Sequence, residues 1–284
     1  MCDRISDHDY HIGKGNWRVF DLPIERVFTA GRRWAEVLSG IERPWLCWHI
    51  DHDWSLVQQR LVAAFGWTPV VAGDPRAGTP PAIDGARLVD FNRDFGFKVM
   101  YPHFVIEFAF LFCDRLAFWH SDLLLREEQM AQFSDLFGSL PDGSLAATTC
   151  KGGLRDRLKF RQHRYWELLG CTTRSAGRAQ FETGCGWWMN FHLHPNCPDR
   201  GEFTRRSKYS YEYGTGIMYW SRRYKGKVVP ISDRSLEEGH FTRINVPRYR
   251  TAMSLPSQRN LAVELPVNYD IESACGRLAL KKYL

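Results

Sequence analysis

No two cysteines in this sequence form a Cys-x-x-Cys pair, although the chain has 8: Cys2, Cys47, Cys113, Cys150, Cys171, Cys185, Cys197 and Cys275. Their irregular spacing and apolar neighbours (Leu46-Cys47-Trp48, Phe112-Cys113) favour buried free thiols in a reducing compartment over a disulfide framework. An uninterrupted apolar run is missing too. The one long candidate, Phe104–Trp119, is broken by Glu107, Asp114 and Arg115 and is not expected to span a bilayer. Met1–His8 is polar and acidic, without the apolar centre of a secretion signal. The expected location is therefore the cytoplasm, with work at a membrane surface left open. There is no internal repeat and no low-complexity tract. A P-loop, a Gly-x-Gly-x-x-Gly turn after a strand and a Gly-x-Ser-x-Gly elbow are all lacking, which removes the common nucleoside-triphosphate, dinucleotide and serine-hydrolase readings.

What is present is the mix of an ordinary globular protein: 284 residues, 44% hydrophobic and 25% charged. Aromatic residues reach 14%, enough for a deep core and for aromatic-lined clefts. The net charge of +6 suits an anionic small molecule or surface and does not call for nucleic acid.

Along the chain, a helix is expected around Ile24–Leu38. The apolar run 44–50, led in by Pro44, reads as a buried strand. Asp53 is placed to cap the next helix, in which Trp54, Val57, Leu61, Ala64 and Phe65 fall at helical spacing before Gly66. A second strand over 67–72 completes a strand–helix–strand unit and favours an α/β sheet. Gly73–Gly85 is a loop. Phe97–Cys113 reads as a helix, 115–119 as a strand, the segment from Glu127 to Phe137 as a helix stopped by Pro141-Asp142-Gly143, and 145–149 as a strand. A basic amphipathic helix is expected over Leu154–Leu169, a further helix over Gly216–Tyr224 and a strand over Lys227–Ile231. The strands at 44–50, 67–72, 115–119 and 145–149 lack alternation and should share one mostly parallel sheet covered on both faces. No linker divides the chain, so 1–284 is read as one domain, with its core at 43–246 and a C-terminal wrap over 247–284.

Several residue groups could carry chemistry. The run Leu116–Trp119 delivers His120-Ser121-Asp122 at its end, and in open α/β sheets ligands bind beyond the carboxyl ends of strands. The plainer alternative has His120 begin a turn and Asp122 cap the next helix. His49-Ile50-Asp51-His52-Asp53 could serve a metal-dependent hydrolase, or could contact a nucleotide base or ribose through Asp51 or Asp53. His192, His194 and Cys197 could grip zinc, against a simple loop. Lys151, Arg155, Arg157, Lys159, Arg161 and Arg164, and also Arg222, Arg223 and Lys225, could face a diphosphate, or be solvated helix faces. Trp187, Trp188, Tyr219 and Trp220 could stack on sugar rings, or be core.

The helix over Phe97–Cys113, the strand ending in His120-Ser121-Asp122, the apolar Leu123-Leu124-Leu125 and the following strand 145–148 together resemble the centre of a GT-A-type nucleotide-sugar glycosyltransferase. Phe181-Glu182-Thr183-Gly184-Cys185-Gly186 resembles that family's acceptor-side Phe-Asn-(Ser/Thr)-Gly segment. Glu238-Gly239-His240-Phe241 resembles its late His-Phe element, whose histidine completes the metal site in some retaining branches. The order and rough spacing agree over about Arg43–Val246. The resemblance implies a GT-A-like (Rossmann-like) domain and transfer of a sugar from a nucleotide-sugar donor to a glycan or other acceptor, as in surface-polysaccharide assembly. It further implies Mn²⁺ or Mg²⁺ held by Asp122 and His240, and Glu182 at the acceptor side. His120 and Lys151 are candidates for contacts to the donor, and Glu182, Glu212 and Asp233 are all candidate bases. The family's first Asp is His120 here, and its acceptor-segment Asn is Glu182. That leaves open a changed metal, or a catalytically silent relative that binds a glycan or a partner protein.

Overall fold

In a computed structural model, the four apolar runs at 44–50, 67–72, 115–119 and 145–149 fall in one sheet. The structure describes residues 24–49, 51–73, 78–89, 106, 113–150, 164–183, 185–187, 214–241 and 270–284. In chain order the elements are α1 (Ile24–Val37), β1 (Pro44–His49), α2 (His52–Ala64), β2 (Thr68–Gly73), β3 (Arg87–Val89), β4 (Arg115–Trp119), α3 (Glu127–Gly138), β5 (Ser144–Cys150), β6 (Arg164–Thr173), α4 (Arg174–Glu182), α5 (Thr215–Arg223), β7 (Lys227–Ser232) and α6 (Ile271–Leu278).

The sheet has 7 strands in the order β3-β2-β1-β4-β6-β5-β7. Neighbours run parallel except at β6, which is antiparallel to both β4 and β5. All of β1 is buried, as are the central residues of β2 and β4. That uniform burial is why these runs do not alternate. Trp45 of β1 is fully buried, with ring centroids 5.3 Å from Trp67, 5.1 Å from Trp119 and 5.3 Å from Phe137. The core therefore joins three strand segments to α3. Cys113 and Cys171 are buried, and burial raises each thiol pKa to about 12, so neither is a nucleophile at neutral pH. No helix among the described residues is long and apolar enough to cross a membrane.

Two local expectations are corrected. The cap of α2 is Asp51, whose carboxylate accepts from the Asp53 and Trp54 backbone N–H groups; the helix starts earlier than the apolar spacing implied. The basic helix expected over Leu154–Leu169 does not form from Arg164 onward, because Arg164 already opens β6. Every residue from Glu167 to Thr173 is buried, which no amphipathic helix face would allow. Gly170 marks a strand under close approach: a Cβ there would be driven into the Ala146 carbonyl and the Phe118 ring. The expected helix at 97–113 and residues 151–163 fall outside the described residues, apart from Ile106 and Cys113. At the C-terminal end, Leu278, Leu280 and Tyr283 are buried, Arg60 of α2 donates to the Tyr283 carbonyl, and Lys282 pairs with Glu127 of α3 at 2.6 Å.

Candidate metal centre

The strand order reverses at β1: β2 and β3 lie to one side of it and β4 to the other. Ligand crevices in open α/β sheets form outside the carboxyl ends of the strands at such a point. Here those ends carry His49 and Asp51 after β1, and His120 and Asp122 after β4.

Asp122 is no helix cap. Four residues separate it from Glu127, the first of α3, and it sits in the turn after β4. From there Leu123 forms a bridge with His240, Leu124 N–H donates to the Gly239 carbonyl at 3.0 Å, and Phe241 N–H donates to the Asp122 carbonyl at 2.9 Å. Two segments far apart in sequence are thus laced into a short ladder. Gly239 is required there, since a Cβ would run into the Leu124 carbonyl oxygen. Gln129 donating to the Ser235 carbonyl at 2.7 Å and the Arg126–Glu238 ion pair fasten the same junction.

The ladder brings His120, Asp122 and His240 into one group whose ligand atoms all lie within 4.8 Å of one another. Asp122 Oδ1 is 3.7 Å from His120 Nδ1 and 3.5 Å from His240 Nε2. Donors bound to one divalent ion at ~2.1 Å stand roughly 3.0–3.5 Å apart, so the two Asp122 contacts are near ligand spacing and the three donors would have to draw together to hold one. Two imidazoles and a carboxylate suit a borderline ion such as Zn²⁺ best; Mn²⁺ is harder but accepts imidazole more readily than Mg²⁺, which keeps to oxygen. The side chains of His120, Asp122 and His240 are 25%, 18% and 11% exposed, which leaves one side of the group open to a ligand. Burial pulls the His120 pKa down, but the hydrogen bond to Glu167 and the charges of Glu167 and Asp122 outweigh it and raise the pKa above its usual 6.5. The two ring nitrogens of His120 each face a carboxylate, Nε2 that of Glu167 and Nδ1 that of Asp122, and a cation bound at Nδ1 has to compete with a proton there.

Three site residues were not singled out from the sequence. Glu167, in β6, is buried and lies 3.3 Å from His120 Nε2. Trp166 packs edge-on against both imidazoles, 5.6 Å from His120 and 5.3 Å from His240. Buried Gln58, on α2, donates to the His120 and Leu123 carbonyls at 2.8 and 3.0 Å and accepts from Trp48 N–H at 3.3 Å. It pins the turn from which Asp122 projects. Gln58→Leu should cost about 1–3 kcal/mol for each buried backbone group left unpartnered, seen as a lower urea midpoint with an unchanged m-value.

Other expected residues do not join this centre. Asp51 is committed to its cap and Asp53 is exposed, both at the lip beside β1. His49 Nε2 and His52 Nδ1 touch at 2.8 Å, yet among the described residues no acidic group completes a metal-holding set with them. Glu182 ends α4 as an exposed side chain outside the metal group. Arg222, Arg223 and Lys225 precede β7, whose first residue pairs with Ser144 at the start of β5. That is the level of Thr173 and Arg115, the opposite end of the sheet from Asp122. Trp187, Tyr219 and Trp220 are buried core. Lys151, Arg155, Arg157, Lys159, Arg161, Trp188, His192, His194, Cys197 and Glu212 lie outside the described residues, as does the side chain of Arg164.

No protein-family model matches the chain, and neither a curated protein nor a solved structure matches it.

Proposed function

We propose that the chain is a metal-dependent glycosyltransferase that moves a sugar from a nucleotide-sugar donor to a glycan or other acceptor. The observation that carries this reading is the approach of Asp122 and His240 to 3.5 Å beyond the carboxyl end of β4, the neighbour of β1. A ligand pair joined across 118 residues by a dedicated ladder has no need to exist for packing alone. His120 is a third donor at the same centre, so its place in the motif keeps a metal site.

A divalent cation bound there supplies positive charge for a diphosphate and for the negative charge that develops as the sugar departs. Asp122, His120 and His240 would hold it. Asp51 and Asp53, after the end of β1, are the candidates for a base or ribose hydroxyl, Asp51 through the carboxylate oxygen that its helix cap does not use. Glu182 is the candidate on the acceptor side. A donor-bound enzyme could work on a soluble acceptor or beside a membrane surface.

The test is a melting screen of nucleoside diphosphates and nucleotide-sugars with and without Mn²⁺, followed by detection of released nucleoside diphosphate. A ligand at ~100 times its Kd adds about 2.7 kcal/mol, or roughly 5–10 °C for a chain of this size. The reading expects the largest shift when metal and diphosphate are both present, and little or none with diphosphate alone. Melting unmoved by every combination would reject it.

A further inference from the structure

Glu167 reaches His120 because of an irregularity in β6. Its ladder with β5 jumps from Ala147↔Gly170 to Thr148↔Trp166, so residues 167–169 bulge out of that pairing. The Thr148 hydroxyl fills the gap, accepting from Leu169 N–H at 3.1 Å and donating to the Leu169 carbonyl at 2.8 Å. On the other side the bulged segment stays paired with β4: Trp119 is opposite Leu169, and His120 N–H donates to the Leu168 carbonyl at 2.9 Å. Bulges of this kind bend a strand and re-aim a side chain, commonly beside active sites. Here the re-aimed side chain is a buried carboxylate, 4% exposed, 3.3 Å from His120 Nε2. The other ring nitrogen, Nδ1, faces Asp122.

The geometry points to Glu167 as the positioning residue of the metal centre: it takes the Nε2–H of His120 and thereby presents the Nδ1 lone pair to a transition-metal ion. A carboxylate behind a ligating imidazole fixes its tautomer and ring orientation and makes it a better donor. The inference rests on the metal reading above and adds to it: His120 is a working ligand in place of a carboxylate, and the buried Glu167 is what makes it one.

The test uses the full chain with Zn²⁺ and Mn²⁺ as probes. In the Zn²⁺-loaded protein with ¹⁵N-labelled histidine, His120 should show a metal-bound Nδ1 and a protonated Nε2. Metal on Nε2, or a His120 that ignores zinc, would overturn the inference. Glu167→Gln should weaken Mn²⁺ about 10–100-fold in the wild-type background. In the His120→Asp background, where no tautomer needs fixing, the same change should not weaken Mn²⁺ further. An equal loss in both backgrounds would assign Glu167 a merely structural role. If wild-type protein binds neither metal, the metal reading itself fails, whatever the variants do.

Discussion

Asp122→Ala should abolish Mn²⁺ binding and sugar transfer while leaving the protein folded. The carboxylate lies between two imidazoles at 3.5 and 3.7 Å and is the sole anionic donor of the three-residue group. Its removal should exceed the ~10–100-fold loss typical of an outer-shell partner. Stability is a separate matter. The Asp122 side chain caps no helix, so the ~0.5–2 kcal/mol attached to losing a cap does not arise. Its carbonyl still accepts from Phe241 N–H in the variant. What is lost in the metal-free protein is the contact of a partly exposed carboxylate with two imidazoles, worth on the order of 1 kcal/mol. Circular dichroism melting should then move by no more than a few degrees, while Mn²⁺ titration followed by electron paramagnetic resonance reads the lost site. A variant that binds Mn²⁺ as the wild type does would remove Asp122 from the centre.

Gly239→Ala should damage fold and site together. A methyl group at 239 has no room beside the Leu124 carbonyl, and the Leu124 N–H to Gly239 carbonyl bond holds the ladder at that point. Either the two segments part or the side chains around them shift. Overpacking of this kind costs about 1–3 kcal/mol, which for a chain of this size lowers the melting temperature by roughly 2–12 °C. His240 is the next residue, so its imidazole moves with the ladder, and Mn²⁺ affinity should fall even well below the melting transition. Asp122→Ala loses metal with little loss of stability, whereas Gly239→Ala loses both. A Gly239→Ala protein with wild-type melting and metal affinity would show that the ladder does not position His240.

The parts of this architecture that were legible in the sequence are those whose signal is local. Val70, Val71 and Ala72, or Leu116 to Trp119, are buried on both faces, and such strands announce themselves as unbroken apolar runs. The helix from Glu127 to Gly138 has acidic residues in its first turn and a proline–glycine stop beyond its end, and it forms where those signals put it. β6 was hidden for the opposite reason. Its first residues, Arg164 to Glu167, are charged and aromatic and continue a basic stretch that looks like a solvated helix. Only its place between β4 and β5 makes it a strand, and no local pattern encodes a partner. Glu167 was hidden with it, since its approach to His120 depends on a bulge set by Thr148, which belongs to another strand. Asp51 and Asp53 show the finer limit. Either could cap α2 by composition, and the backbone geometry selects Asp51. No local pattern in the sequence joins His240 to Asp122, because the bridge to Leu123 is a tertiary fact.

The most direct measurement is a calorimetric titration of a nucleoside diphosphate into the wild-type and Asp122→Ala proteins, each with and without Mn²⁺. A shared metal–diphosphate site predicts that Mn²⁺ tightens the diphosphate at least tenfold in the wild type, a coupling of about 1.4 kcal/mol, and that the coupling vanishes in the variant. A diphosphate that binds the wild type equally well with and without metal, or binds neither protein, would contradict the account.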